Sequence, residues 1–215
     1  MKKSTIIAAA ILSLIVASVS AYAMTKGEAR QLMYGAGRGN GANLAQLQSS
    51  AKSGDPLAQT YFGVYFFFFK KDYTKAMYWY QKAADQGNAL GEMSLGMSYE
   101  QGKGVPQDYT KAMDWYQKSA DQGNAGAQES LGEMYENGRG ILTNVVVAYA
   151  LYNLSATIDP SSNNSATDRR DNLVKGMTVS QTEKAQALTQ RMMNKQIGVI
   201  KALKQYYSFF GWFLY

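Results

Sequence analysis

Twice between residues 72 and 124 the apolar residues fall into the same helical phase. Tyr109, Ala112, Met113, Tyr116 and Ala120 stand at i, i+3, i+4, i+7 and i+11, one face of an α-helix, and that face predicts a core contact. The segment from Asp108-Tyr109-Thr110-Lys111-Ala112-Met113 to Asp121-Gln122-Gly123-Asn124 restates Asp72-Tyr73-Thr74-Lys75-Ala76-Met77 to Asp85-Gln86-Gly87-Asn88 at a constant offset of 36. The offset carries on from Leu95-Gly96 to Leu131-Gly132, from Tyr99 to Tyr135, from Gly102-Lys103-Gly104 to Gly138-Arg139-Gly140, and more loosely from Asp108 to Asn144 and Tyr116 to Tyr152. A period of this length predicts two antiparallel helices per unit, stacked so that each unit buries the apolar face of its neighbour. The fold class expected is all-α, an α-solenoid of helix pairs.

Stop and start signals set the phase of the array. Gly54-Asp55-Pro56 supplies a left-handed helix stop, an N-cap and a first helical residue whose missing N–H costs nothing. Asp108 caps the next second helix, and Gly123-Asn124 ends it and begins another. The first helix of each unit carries Phe62-Gly63, Leu95-Gly96 or Leu131-Gly132 in its interior. Glycine there costs about 1 kcal/mol against alanine, so its missing Cβ is expected to admit a close neighbour.

Two stretches depart from the period. Between Phe66 and Asp72 stands Phe67-Phe68-Phe69-Lys70-Lys71, three residues shorter than the matching span of the second unit and without its Gly-x-Gly-Val turn. The end of the chain, Gln205-Tyr206-Tyr207-Ser208-Phe209-Phe210-Gly211-Trp212-Phe213-Leu214-Tyr215, follows no repeat pattern and is too short to span a bilayer as a helix. Folding back on the solenoid, contact with a membrane interface and contact with a partner all suit it.

The run from Gly87 to Gly123 resembles the Sel1-like repeat family, a branch of the tetratricopeptide-like solenoids, through its Leu-Gly, Tyr, Gly-x-Gly-Val, Asp-Tyr-x-Lys-Ala, Trp-Tyr-x-Lys and Gln-Gly elements. The resemblance covers residues 54–158 as three repeats, at about 54–86, 87–122 and 123–158. It implies degenerate capping helices over 24–53, where Ala42 to Gly54 reads as a second helix with Leu44, Leu47 and Ala51 in core phase. It also implies a C-terminal helical cap over 159–195, where Asp168 to Met193 matches the family's terminal pair and Thr178-Val179-Ser180-Gln181 offers a capping box. Residues 196–215 are left as an apolar, aromatic tail. The family implies a scaffold that binds proteins and carries no cofactor. Small exported members with few repeats resemble immunity proteins that silence phospholipase effectors delivered by type VI secretion; the other role implied is an envelope adaptor.

Composition narrows the chemistry. The chain has no His and no Cys, which excludes Ser/His/Asp and Cys/His nucleophiles, Cys/His zinc sites and disulfides. No metal site is expected. Lys2-Lys3, the apolar run from Ile6 to Val19 and Ala21-Tyr22-Ala23 read as a signal peptide over 1–23, cleaved before Met24, which predicts a periplasmic or secreted product. Removing Lys2 and Lys3 leaves 20 basic against 16 acidic residues, too small a surplus for a nucleic-acid partner.

Residues that recur at the period are assigned to packing: Trp79, Tyr80, Leu95, Gly96, Tyr99, Trp115, Tyr116, Leu131, Gly132 and Tyr135. Partner recognition is sought where the repeats disagree. Thr60 and Val64, Met93 and Met97, and Glu129 and Glu133 each lie four apart on the first helix of their unit, forming a surface stripe that grades from small through apolar to acidic, with Tyr61 and Tyr65 beside it. Solvated helix surface is the competing reading of the stripe. As an enzyme, only the Glu129/Glu133 pair would offer two carboxylates, without the cleft a glycosidase needs. Some secreted relatives are credited with penicillin binding, but the Ser-x-x-Lys nucleophile that would serve it is not expected here.

Overall fold

A computed structural model describes residues 24–159, 165–194 and 198–209; the expected leader at 1–23 and the last six residues of the aromatic tail lie outside them. The chain divides after Gln86 into two compact units. Among the described residues every regular element is helical.

The first unit holds α1 (Lys26–Gly37), α2 (Gly41–Lys52), α3 (Pro56–Val64) and α4 (Tyr73–Ala84), with a π-helical stretch at Tyr65–Lys70 prolonging α3. Thr25 and Glu28 close a reciprocal capping box on α1, and Ala29, Met33 and Ala36 form its buried stripe. That helix packs on α2, α3 and the π-helical stretch. In α2 Leu47 and Ala51 are buried and Leu44 is half-buried. Asp55 accepts from Ala58 N–H at 2.7 Å with Pro56 behind it, the stop-start arrangement its sequence predicts.

The second unit holds α5 (Ala89–Gln101), α6 (Tyr109–Asp121), α7 (Ala125–Asn137), α8 (Val145–Ile158), α9 (Ser165–Leu173), a 3-10 turn at Val174–Gly176, α10 (Val179–Met193) and α11 (Gly198–Phe209). Asp108 caps α6 through Lys111 N–H at 2.9 Å, and that bond holds its carboxyl below the usual aspartate range. Thr178 and Gln181 form the expected capping box on α10.

The interior glycines are explained by tyrosines. A Cβ on Gly63, Gly96 or Gly132 would lie 2.6 Å from the ring of Tyr80, Tyr116 or Tyr152, respectively, each on the second helix of the same pair. The tyrosine rings sit flat in the notch that glycine leaves, and all three are buried. In the second unit Tyr116 OH donates to Glu100 at 2.8 Å and Tyr152 OH to Glu136 at 2.6 Å, so each ring is fixed at both ends. Burial and these carboxylates raise both phenol pKa values. Ser119 and Ser155 donate to Ala89 and Ala125 carbonyls at 2.6 and 2.9 Å, tying the start of each pair's first helix to its second.

Of the residues assigned to packing, Tyr80, Leu95, Gly96, Tyr116, Leu131, Gly132 and Tyr135 are buried, but Trp79, Tyr99 and Trp115 are half-buried. Trp115 lies under Lys118, whose Nζ is 4.0 Å from the ring centre, so this tryptophan is a lid on the helix pair and not its filling. The end of the chain departs from a bare tail as well. In α11 the buried residues Val199, Ala202, Leu203 and Tyr207 make one helical face that packs against α10 and α6. Tyr207 stacks on Tyr135 with centroids 6.4 Å apart, and burial pushes its phenol up to about 12.

Candidate functional site

The predicted stripe does not survive as an open surface in either unit. Thr60 is fully buried, its hydroxyl donating to Pro56 carbonyl at 2.9 Å. Tyr61 and Tyr65 are 7% and 3% exposed, and only Val64 keeps partial access. The reason is α1, which the sequence pattern did not delineate and which lies against α3. Burial raises the Tyr61 phenol pKa, with Arg30 of α1 opposing it.

In the second unit Met93 and Met97 are half-buried and pack against the main core. Glu129 and Glu133 are held by α9: Arg169 reaches Glu133 at 2.9 Å and Glu129 at 3.6 Å, and Ser165 donates to Glu129. Burial raises the Glu133 pKa although Arg169 works against it. These two carboxylates are therefore anchors for a helix of the same chain. Charge reversal there has a structural cost.

What the structure exposes instead is the departure in the first repeat. Phe68 and Phe69 are 51% and 41% exposed, followed by exposed Lys70 and Lys71. The π-helical widening has a mechanical role. In the π-helical stretch Phe67 is seated inward, 5.0 Å from Tyr73 and 6.4 Å from Tyr80, while Phe68 and Phe69 are exposed. Phe69 stacks over Tyr65 at 6.1 Å and lies on the backbone of Gly37, where a Cβ would come within 2.3 Å of its ring. Between this ring and the α1–α2 loop is a hollow of about 320 Å³, lined by Gly37, Gly39, Asn40, Leu44, Tyr65 and Lys70 among others. Its signals were in the sequence: a run of four Phe, two Lys, and glycines at 35, 37, 39 and 41. Periodicity is blind to them because none of them repeats.

Catalytic arrangements are weaker. Glu129 and Glu133 share one arginine, and both carboxylates are taken up in holding α9. Contrary to expectation the Ser-x-x-Lys spacing occurs once, at Ser49 and Lys52, with both residues exposed on α2. Among the described residues no group of three acidic side chains is placed to hold a metal ion.

The Sel1 repeat model matches residues 60–88, 89–124 and 125–158. A protective antigen present in uropathogenic Escherichia coli strains, displaying an SLR fold, is 32% identical over 76% of this chain and 35% of its own, with a TM-score of 0.67. This chain thus spans about a third of that protein's length. A Sel1 repeat protein from Oxalobacter formigenes is 31% identical over 60% of this chain and 98% of its own, with a TM-score of 0.51. No curated protein matches the chain. Sel1 repeats generally mediate protein–protein interaction, and their fold is typically a non-catalytic scaffold. With three matched repeats, the glycine–tyrosine notch in each and a relative covered almost end to end, the chain belongs to the Sel1 repeat family of all-α solenoids.

Proposed function

We propose that the protein is an exported scaffold that binds a protein partner in the bacterial envelope. One contact supports the export half of this reading. Met24 N–H donates to Asp55 Oδ2 at 2.7 Å, while the other oxygen of that carboxylate caps α3. Cleavage after Ala23 turns the Met24 nitrogen into an ammonium, and the hydrogen bond into an ion pair at the start of the first repeat. The site expected for the signal peptidase thus falls where a new N-terminus has a partner waiting. Among the described residues no helix is long and apolar enough to cross a membrane. The protective-antigen description of the Escherichia coli relative accords with a life outside the cytoplasm.

The test is fractionation of cells making the full chain with a C-terminal tag, mass analysis of the product, and cross-linking in the periplasm. A product beginning at Met24 and cross-linked to one protein supports the reading. A full-length product confined to the cytosol overturns export, and a periplasmic product that cross-links to nothing overturns the scaffold. Capture of a phospholipase whose toxicity the protein relieves would assign the immunity role, and capture of an envelope protein the adaptor role.

A further inference from the structure

Charge is distributed unevenly along this chain. Residues 24–86 hold eight Lys and Arg against four Asp and Glu, whereas residues 87–215 hold twelve of each, so the whole surplus beyond Lys2 and Lys3 belongs to the first unit. The four carboxylates of that unit are committed locally: Glu28 to Thr25 N–H, Asp55 to Ala58 N–H, Asp72 to Lys75 N–H and Asp85 to the Gln81 amide. One of the cations lines the hollow and two more adjoin its lining residues in sequence. Lys70 lines it, Lys71 follows, and Arg38 lies between Gly37 and Gly39 of the rim. Among the described residues none of these three enters an ion pair.

Backbone conformation singles out the same place. Lys71 has φ 55°, and among the described residues every other left-handed position is glycine. The first helices of the second and third repeats end at Gly102 and Gly138, with φ 64° and 67°. A lysine strains a turn that glycine takes freely. Strain kept next to Lys70, which lines the open hollow, points to a use for the lysine's charge.

We propose that this hollow receives an apolar side chain from an acidic segment of a partner protein, whose flanking carboxylates pair with Arg38, Lys70 and Lys71. The inference deepens the scaffold reading and rests on it. A hollow of about 320 Å³ suits a single large side chain. Its aromatic wall supplies the apolar contact and its cations the orientation and the rate of encounter. A lipid surface is the weaker fit, since Phe69 lies against Gly37 as a wall of the hollow, which leaves Phe68 as the one ring of the pair free to enter lipid.

The probe is an acetylated, amidated pentapeptide with a central phenylalanine between pairs of aspartate and glutamate, compared with an alanine-centred peptide and a lysine-flanked one. Titration of the chain beginning at Met24, followed by amide NMR shifts, should move Gly37, Gly39, Gly41 and Leu44. The double variant Arg38→Glu, Lys70→Glu, both exposed and so neutral to folding by circular dichroism, should bind at least about tenfold more weakly, as should the alanine-centred peptide. The lysine-flanked peptide should not bind. Shifts confined to residues beyond 86, no saturable binding, or affinity indifferent to the double variant would each overturn the proposal. Sedimentation with phosphatidylglycerol vesicles that needs Arg38 and Lys70, without peptide binding, would overturn it in favour of a membrane. A cross-linked native partner whose affinity ignores the double variant would sink this site while leaving the scaffold standing.

Discussion

Gly96→Ala puts two large effects in opposition, and the geometry decides between them. In an isolated helix the substitution is favourable by about 1 kcal/mol. Here the new Cβ would lie 2.6 Å from Tyr116 Cδ1 and 2.7 Å from Cε1, almost 1 Å inside ordinary contact. The ring has nowhere to go, because it is 2% exposed and its hydroxyl is fixed to Glu100 at 2.8 Å. Overpacking costs about 1–3 kcal/mol, and losing a hydrogen bond to a carboxylate about 1.5–3 kcal/mol if the ring slides. Net of the propensity gain the cost prevails, and Gly96→Ala should destabilise by up to about 2 kcal/mol in urea denaturation, read as a lower midpoint at unchanged slope. The decisive arm is the same substitution in a Tyr116→Ala background. With the ring gone only helix propensity remains, and Gly96→Ala should then stabilise by about 0.5–1 kcal/mol. A single variant at least as stable as the parent, or a double-mutant cycle without this inversion of sign, would refute the notch as the reason for glycine.

Three further outcomes follow from the described contacts. Arg169→Glu should cost up to about 1 kcal/mol, the usual ceiling for an ion pair this exposed, and adding Glu129→Lys and Glu133→Lys should restore most of it; a restored midpoint in thermal or urea melts checks the pairing, and additive losses would contradict it. Lys71→Gly should stabilise the chain by about 1 kcal/mol in the same melts while weakening the acidic peptide, and a loss of stability would show that the left-handed turn carries no strain. A chain starting at Met24 should exceed one retaining Ala21-Tyr22-Ala23 by up to about 1 kcal/mol at low salt, and that gap should close in Asp55→Asn.

The repeat was legible because it is redundant: Tyr116 and Tyr152 hold the same place against Gly96 and Gly132, so one correct phase yields every pair, and the caps at Asp55, Asp108 and Thr178 need only local chemistry. The recurring tryptophans are only half-buried: recurrence reports a shared neighbourhood and says nothing of depth. Trp79 packs on Phe62 at 5.1 Å and yet is only half-buried. The stripe failed for a different reason. It treated the first helix of each repeat as surface, whereas α1 and α9, both outside the repeats, close over Tyr61 and over Glu129 and Glu133. Where a non-repeating helix docks is set by tertiary fit, which a period of 36 does not encode. The same holds for α11, whose buried face of Val199, Ala202, Leu203 and Tyr207 has helical spacing but no internal partner to name its target.

The departures of the first repeat form one correlated change. Four residues after the notch glycine, repeats two and three have Glu100 and Glu136, which accept from the tyrosine in the notch; repeat one has Phe67 at that place, with its ring 6.4 Å from Tyr80. An aromatic residue there brings in bulk that the carboxylate lacked, and the helix responds by widening into a π stretch over Tyr65–Lys70. The span is three residues shorter here and the π stretch runs on to Lys70, so the chain passes to Asp72 through the single left-handed Lys71, with Asp72 N–H closing on Phe66 carbonyl at 3.1 Å. That short closure holds Phe69 on Gly37 and sets Lys70 at the rim of the hollow. Restoring glutamate at Phe67 is thus the change that should undo the whole arrangement: without the aromatic packing the π turn loses its support, and the hollow with its acidic-peptide affinity should go with it. Retention of peptide binding in Phe67→Glu, with the fold intact by circular dichroism, would separate the hollow from the helix irregularity that is here its cause.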